Sequence, residues 1–391
     1  MQYILSILIP TKNRVEYLEL CVQQVLSACS ERVQVVVQDN SNEEWLGSNR
    51  FTEKYPNFYY YHKKGDISFV ENFSLAIENA KGEYFCFIGD DDGILPEIEQ
   101  LAKWMKENEI DAVSQNISAT YFWPNTIGAI PDTETGLLKL YYVNNKVERK
   151  KTSLELKKLL YTAGQNYLSR ALVKPYHGLV RTKLIEKLKE VTGVYIGGLS
   201  PDIYISVALS CFIKYVFVIN FPITISGIGA KSGSAASASG SHTGRLSDAP
   251  HFLGHKNYVW DKLVPEIYSV ETIWADSALH AYRSCSNMNV DRYFCKEYLL
   301  KICCDKYFQF SSEIQNFIRR HKIVKFKYIE SFLKVGCLDL FYRVIKKITR
   351  RKNDYLRYKG VENIIEAEQK IRLYLENNSI NFSDTLKQIK K

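Results

Sequence analysis

Along the first 120 residues, apolar and polar positions alternate between two periods. Leu5 to Ile9 is a continuous apolar run, read as a buried strand closed by Pro10, which cannot donate to a sheet ladder. From Val15 to Cys29, apolar residues recur at 18, 21, 22, 25, 26 and 29, the spacing of one helical face. Val33 to Val37 predicts a second strand, ended by the turn formers Asp39–Asn40–Ser41. Phe58 to Tyr61 predicts a third strand and Val70 to Ala80 a helix. Tyr84 to Ile88 predicts a fourth strand, running directly into Gly89–Asp90–Asp91–Asp92–Gly93. A helix opened by Pro96 and a strand at Ala112–Val113 continue the series. Strands joined by helices of this length imply an α/β fold, a doubly wound parallel sheet with helices on its faces.

Beyond residue 120 the pattern loosens. Residues 120–175 hold a loop at Trp123–Pro124–Asn125 and a Lys-rich helix near 150–160. A strand at Gly178–Val180 and a helix over Thr182–Glu190 follow. The Gly197–Gly198 turn leads to a helix start near Ser200–Pro201–Asp202, where Ser, Pro and an acid suit the first turn. Tyr215–Ile219 and Ile223–Ile225 read as strands. Residues 227–247 are rich in Gly, Ser and Ala and predict a mobile loop. From 251 to 391 the pattern is mainly helical. Two units are expected, 1–250 and 251–391, with no internal repeat.

Composition adds bounds. At 391 residues, 46% hydrophobic and 24% charged, the chain supports two or three domains and is too apolar for wholesale disorder. No run of about 18 apolar residues suggests a membrane span. The N-terminal Ile4–Ile9 run reads as a strand, not as a signal sequence. Nine cysteines, an odd count without a CxxC pair, read as free thiols in a reducing cytoplasm, and a zinc site is not expected.

The net charge of +9 is unevenly placed. Residues 301–391 hold 21 Lys/Arg against 10 Asp/Glu, so the first 300 carry 31 against 33. The excess gathers in Arg319–Lys327 and Arg343–Lys352. In the second cluster Phe341, Val344, Ile345 and Ile348 alternate with Lys346, Lys347, Arg350 and Arg351. That is the pattern of a basic amphipathic helix resting on an anionic membrane surface, or of a solvated helical face. No nucleic-acid-binding pattern accompanies the charge, so nucleic acid is not an expected partner.

The acidic triplet Asp90–Asp91–Asp92 carries the strongest chemical signal. It follows an apolar strand, and open parallel sheets bind ligands beyond the carboxyl ends of their strands. Adjacent carboxylates repel unless a cation neutralises them, and hard oxygen ligands suit Mg²⁺ or Mn²⁺ bridging to a diphosphate.

Four segments in order carry a resemblance: Ser6-Ile-Leu-Ile-Pro-Thr-Lys-Asn-Arg14, Val35-Val-Val-Gln-Asp-Asn-Ser41, the stretch Glu71 to Tyr84, and Phe87-Ile-Gly-Asp-Asp-Asp92. With them, the first 225 or so residues resemble family-2 glycosyltransferases of the GT-A fold, a Rossmann-like, mostly parallel sheet flanked by helices. Around His177–Val180 and Ser200–Asp202 the chain is similar to bacterial capsule and O-antigen polysaccharide enzymes of that family. The resemblance implies metal-dependent, inverting transfer from a nucleotide diphosphate-sugar, with UDP as the expected nucleotide. The acceptor would be an oligosaccharide or a lipid-linked glycan in surface polysaccharide synthesis. The expected location is the cytoplasm, peripheral on the inner face of the membrane.

The same resemblance assigns residues. Pro10, Thr11, Asn13 and Arg14 would contact the nucleoside, Asp39 would accept from the base, and Asn72 would lie near the nucleotide. Asp92 would be the first metal ligand, joined by Asp90, with Asp90 and Asp91 also on the donor. His242 would add a metal ligand, Arg245 would pair with a phosphate, and Asp202 would be the general base. Tyr121 and Trp123 would either stack on the acceptor sugar or be buried. The chain departs from the family at Gly89, where an acid is common, and at Pro201, where an acid often precedes the base. Two other readings compete. A sugar nucleotidyltransferase wants a glycine-rich loop after its first strand, and Pro10–Arg14 has none. A docking module without catalysis would have no use for the Asp90–Asp92 and Asp202 set.

Overall fold

The computed structural model describes residues 3–65, 67–116, 118–126, 136–230, 243–246, 258–286, 289–324, 326, 328–335 and 355–389. In chain order the elements are β1 (Leu5–Thr11), α1 (Val15–Ala28), β2 (Val33–Asp39), α2 (Asn49–Lys54), β3 (Phe58–His62), α3 (Phe69–Glu78) and β4 (Tyr84–Phe87). There follow β5 (Gly93–Ile94), α4 (Glu97–Glu107), β6 (Ala112–Gln115), β7 (Ala119–Phe122), β8 (Leu137–Tyr141), β9 (Val147–Lys151) and α5 (Thr152–Tyr161). The series closes with β10 (Leu179–Arg181), α6 (Thr182–Thr192), α7 (Pro201–Phe212), β11 (Tyr215–Ile219) and β12 (Thr224–Ile228). Later helices span Val270–Cys285, Lys296–Lys306, Ser311–His321, Ile364–Asn377 and Phe382–Gln388.

The main sheet has eight strands in the order β3-β2-β1-β4-β10-β6-β11-β9. β10 and β9 run against the others. This is the mostly parallel, helix-flanked α/β sheet expected of a GT-A fold. Its central strands are apolar throughout because both faces are covered. Ile7, Ile9, Val35, Val37 and Cys86 face one core, with α1 and α4; Leu8, Val36, Phe85 and Phe87 face the other, with α3, α5, α6 and α7. A second sheet, with Tyr355–Tyr358 at one edge followed by β8, β7, β12 and β5, lies beside the acidic loop.

Three sequence expectations change. Pro10 does not close β1: it pairs with Gln38 of β2 and lies beyond Leu8, the last residue paired with β4. Its missing N–H therefore costs no bond on the β4 side. Gly227 and Ile228, expected in a mobile loop, belong to β12 and pair with Tyr121 and Phe122. The expected 251–391 unit divides by packing. The helices Val270–Cys285, Lys296–Lys306 and Ser311–His321 join the core of α5–α7, whereas Val361, Ile364, Ala367, Ile371, Phe382 and Leu386 fill the core of α1 and α4. The segment 355–389 thereby becomes part of the N-terminal core, although it is the far end of the basic region.

The described cysteines are all free, with Cys21, Cys86 and Cys303 buried. No helix among the described residues is long and apolar enough to cross a membrane. The cluster Arg343–Lys352 lies outside the described residues.

Candidate active site

β1, β2 and β4 end at the same edge of the sheet and deliver their following loops to one place. The Thr11 hydroxyl donates to Asp90 Oδ2 at 2.6 Å. The Arg14 guanidinium lies over the Tyr17 ring, with Nη1 2.8 Å from Asp90 Oδ1 and Nη2 2.6 Å from Asp91 Oδ2. All three aspartates are almost fully buried.

The Arg14 guanidinium pairs with two of the three carboxylates, and burial acts against ionisation of Asp90 and Asp92. Burial pushes Asp90 up to about 7 against the pull of Arg14 and Thr11, with Asp91 adding repulsion. Burial and Asp91 push Asp92 up to about 8 despite two main-chain donors. Burial opposes the Arg14 charge, yet Asp90 and Asp91 outweigh it and hold the proton on. Asp90 and Asp92 keep their protons up to about 7 and about 8, and only on full ionisation do the carboxylates outnumber Arg14, a condition that a bound cation would relieve.

Each aspartate is held differently. Asp92 Oδ2 accepts the Gly89 N–H at 2.5 Å and Oδ1 accepts the Gly227 N–H at 2.7 Å. The Tyr176 hydroxyl donates to the same Oδ2 at 3.3 Å. Through these contacts Asp92, expected as the first metal ligand, joins its own loop to β12. Asp91 Oδ2 accepts from Arg14 and from the Gly229 N–H at 2.9 Å, while Asp91 Oδ1 has no partner among the described residues. Among the described residues no group of three or more His, Cys, Asp or Glu forms a metal cage.

The residues expected on the nucleoside side are linked to one another through the ends of β1 and β2. Asn72 enters from α3, whose N-terminus is fixed by the Ser68 hydroxyl accepting the Glu71 N–H. Its Nδ2 donates to the carbonyls of Thr11 and Gln38, both at 3.3 Å, clamping the ends of β1 and β2. Its Oδ1 is buried without a partner among the described residues. Asn13 adopts a left-handed φ of 55° and bridges to the β2 loop: its N–H donates to Ser41 Oγ at 2.6 Å and its Oδ1 accepts the Asn42 N–H at 3.0 Å. Asp39 is fully buried, accepting the Ser41 N–H at 2.7 Å and the Tyr60 hydroxyl at 2.8 Å. Pro10 is buried in β1 and offers the site backbone only.

Asp202 occupies the first turn of α7 behind Pro201. Ser200 Oγ donates to its Oδ1 at 2.5 Å and the Tyr167 hydroxyl donates to its carbonyl at 3.2 Å. Burial raises its pKa, with the Ser200 hydroxyl pulling the other way.

Other expectations fare differently. Arg245 is exposed on a ribbon formed by Thr243–Arg245 and Ile267–Ser269, where its charge contributes to lowering the Glu313 pKa. His242 lies outside the described residues. Tyr121 and Trp123 are buried, so neither is a stacking platform. Trp123 Nε1 donates to the Asp91 carbonyl at 2.9 Å, and its ring packs on Tyr17 and Tyr121. Sequence reading missed Tyr176, Gly227 and Gly229, which hold the triplet from distant parts of the chain.

Residues 6–158 match glycosyl transferase family 2. A protein of Rickettsia bellii (strain RML369-C), described as an uncharacterized glycosyltransferase, is 30% identical over 105 residues. Those residues are 26% of this chain and 15% of that relative, so the chain spans a small part of its length. S. aureus TarS 1–349 in complex with UDP-GlcNAc has a TM-score of 0.46 at 13% identity, covering 95% of this chain and 92% of that one. A further S. aureus TarS structure has a TM-score of 0.40 at 14% identity, covering 73% and 44%. The family match runs from β1 through the acidic loop into α5, so residues 6–158, less than half of the chain, are similar to a family-2 glycosyltransferase domain.

Proposed function

We propose that the chain transfers a sugar from a nucleotide diphosphate-sugar, with UDP the first nucleotide to test, to a hydroxyl of a glycan acceptor, inverting the anomeric centre. The observation that carries this reading is the convergence of Thr11, Arg14, Asn72 and the Asp90–Asp92 loop at the carboxyl edge of β1 and β4. Arg14 pairs with the donor or releases its carboxylates to it, Asn13 and Asn72 shape the nucleoside side, and Asp39 fixes the β2 loop beneath the base. Asp202 takes the acceptor proton while the hydroxyl attacks from the face opposite the diphosphate.

The residues fit a divalent cation through Asp91. Its Oδ1 has no protein partner among the described residues, and the triplet, when fully ionised, carries more negative charge than Arg14 offsets. Mg²⁺ or Mn²⁺ needs only one or two carboxylates when phosphates and water complete its shell. Bound there, such a cation would supply stabilisation of the leaving diphosphate. In this reading Asp92 is the residue that shapes the loop and Asp91 the one that meets the metal. His242 and Arg245 stay as proposed contributors to metal and phosphate.

The basic cluster Arg343–Lys352 is proposed to rest on an anionic bilayer, the location of a lipid-linked acceptor. The deciding experiment is a panel of nucleotide-sugars screened for thermal stabilisation and for nucleotide release, with and without Mn²⁺. A UDP-sugar that raises the melting temperature and is cleaved supports the reading; no response from any nucleotide-sugar overturns it.

A further inference from the structure

Asp202 is touched through two neighbours, and both are held by a helix outside the family-matched residues. The first neighbour is Ser200, whose hydroxyl donates to Asp202 Oδ1. The N–H of Ser200 and that of Leu199 both donate to Ser277 Oγ, at 3.0 and 3.1 Å. Ser277 is fully buried in the helix Val270–Cys285, so the turn before Asp202 is pinned to that helix by one hydroxyl. The second neighbour is Tyr167, whose hydroxyl donates to the Asp202 carbonyl. Its ring meets Trp274 edge-on at 5.6 Å, and the nearby Gln165 Nε2 donates to the Glu271 carbonyl at 3.0 Å.

The helix is itself fixed in register. Asp276, adjacent to Ser277 and fully buried, accepts the Asp261 N–H at 2.8 Å and the Tyr258 hydroxyl. At its start Ser269 and Thr272 form a reciprocal cap. The approach of the turn is too close for a side chain. A Cβ on Gly198 would lie 3.0 Å from Ser277 Cβ and 2.9 Å from the Tyr204 ring.

We propose that Ser277 is a positioning residue for the transfer reaction, setting the Leu199–Ser200 turn so that the Ser200 hydroxyl orients the Asp202 carboxylate toward the acceptor. This rests on the reading of Asp202 as the general base. The helix Val270–Cys285 is then a working part of the acceptor side of the site, although it lies beyond residue 158, where the family match ends. Two buried amides and one serine hydroxyl carry the orientation; without the Ser277 oxygen, both amides lose their acceptor.

The test uses the full chain and nucleotide release from the UDP-sugar that the panel selects, with water as the acceptor. Ser277→Ala is expected to lower kcat at least tenfold while the donor KM stays within twofold. In an Asp202→Asn background the same substitution is expected to add less than a twofold loss, because both act through one group. Gly198→Ala, which presses on Ser277 while leaving its hydroxyl in place, is expected to give the same signature. It serves wherever Ser277→Ala does not yield folded protein.

A Ser277→Ala enzyme with a lowered melting temperature but native kcat overturns the positioning role and leaves Asp202 as base. So does an equal tenfold loss in both backgrounds. Near-native turnover by Asp202→Asn overturns the base reading itself, and the inference with it.

Discussion

Arg14 and Asp90 form a buried ion pair across the mouth of the sheet, 2.8 Å between Nη1 and Oδ1, with the second guanidinium nitrogen committed to Asp91. Removing one partner of such a pair leaves a carboxylate without compensation, at a cost of about 3 kcal/mol. The pH dependence has a definite sign. Asp90 and Asp92 sit at about 7 and about 8 in the fold, above the 3.8 of a free aspartate. The folded chain therefore binds protons that the unfolded chain has released. The associated stability is fully present below the unfolded value and is lost as pH rises through 7 to 8. In EDTA, the melting temperature is expected to fall from pH 6 to pH 9. Arg14→Met is expected to be destabilised more at pH 8.5 than at pH 6, because protonation relieves the unpaired carboxylates. A deficit that does not change with pH, measured by differential scanning fluorimetry, would refute this.

Asp91 and Asp92 are adjacent, yet their substitutions are expected to fail in different ways. Asp92 accepts two main-chain N–H groups, and an asparagine there turns an NH₂ toward one of them. Asp92→Asn is expected to lose about 1–3 kcal/mol of folding stability whether or not metal is present. Asp91→Asn keeps an oxygen for Arg14 and the Gly229 N–H, so it is expected to melt near the native temperature. What it loses is the Mn²⁺-linked increase in UDP affinity, read by calorimetric titration. Native Mn²⁺ linkage in Asp91→Asn would remove it as the metal contact.

What the sequence made legible follows from how local each signal is. Apolar runs such as Leu5–Ile9 and Tyr84–Ile88 mark strands buried on both faces without help from any partner. The triplet and the Pro201–Asp202 helix start are likewise local. The contacts that assign roles are not. Arg14 meets Asp91 across 77 residues and Gly227 meets Asp92 across 135. No local pattern distinguishes a carboxylate that ends on two amides from its neighbour that keeps a free oxygen. The last segment was obscured differently. Lys and Arg between 343 and 352 set its character, while the stripe Ile364, Ala367, Ile371 and Leu375 is short and its core lies on the first helix of the chain.

That packing determines how a membrane role has to be tested. The Tyr121 hydroxyl donates to the Val361 carbonyl at 2.9 Å, Phe382 packs on Phe221 with centroids 4.7 Å apart, and Ile364 fills the space above Gly93. Each large side chain removed from such a core costs about 2–5 kcal/mol. Ending the chain at 354 is therefore expected to give insoluble or unfolded protein, a result with no bearing on lipid. Replacing Arg343, Lys346, Lys347, Arg350, Arg351 and Lys352 by Gln leaves the 355–389 core residues in place. This variant is expected to keep the native melting temperature and to sediment less with phosphatidylserine vesicles at low salt. Unchanged sedimentation would reject the bilayer contact.

Gly227 ties the acidic loop to the second sheet, and its replacement tests whether that tie shapes the site. Its N–H donates to Asp92 Oδ1, and a Cβ built on it would lie 1.7 Å from the Asp91 carbonyl oxygen. That oxygen already accepts from Trp123 Nε1, so it has little freedom to retreat. Gly227→Ala must then push β12 away from the acidic loop. The displacement strains the Gly227 bond to Asp92 and the Gly229 bond to Asp91 together. A fold that tolerates the shift is expected to lose about 1–3 kcal/mol, the range for overpacking a filled interior. UDP affinity is expected to fall at least tenfold, because the triplet no longer presents Asp90 and Asp91 in one geometry. Ala substitution at Gly360, where a φ of 69° is met by open space, provides the control. It carries backbone strain alone and is expected to leave UDP binding unchanged. Equal loss of affinity in both variants would mean that the close approach at Gly227 has no special hold on the acidic loop.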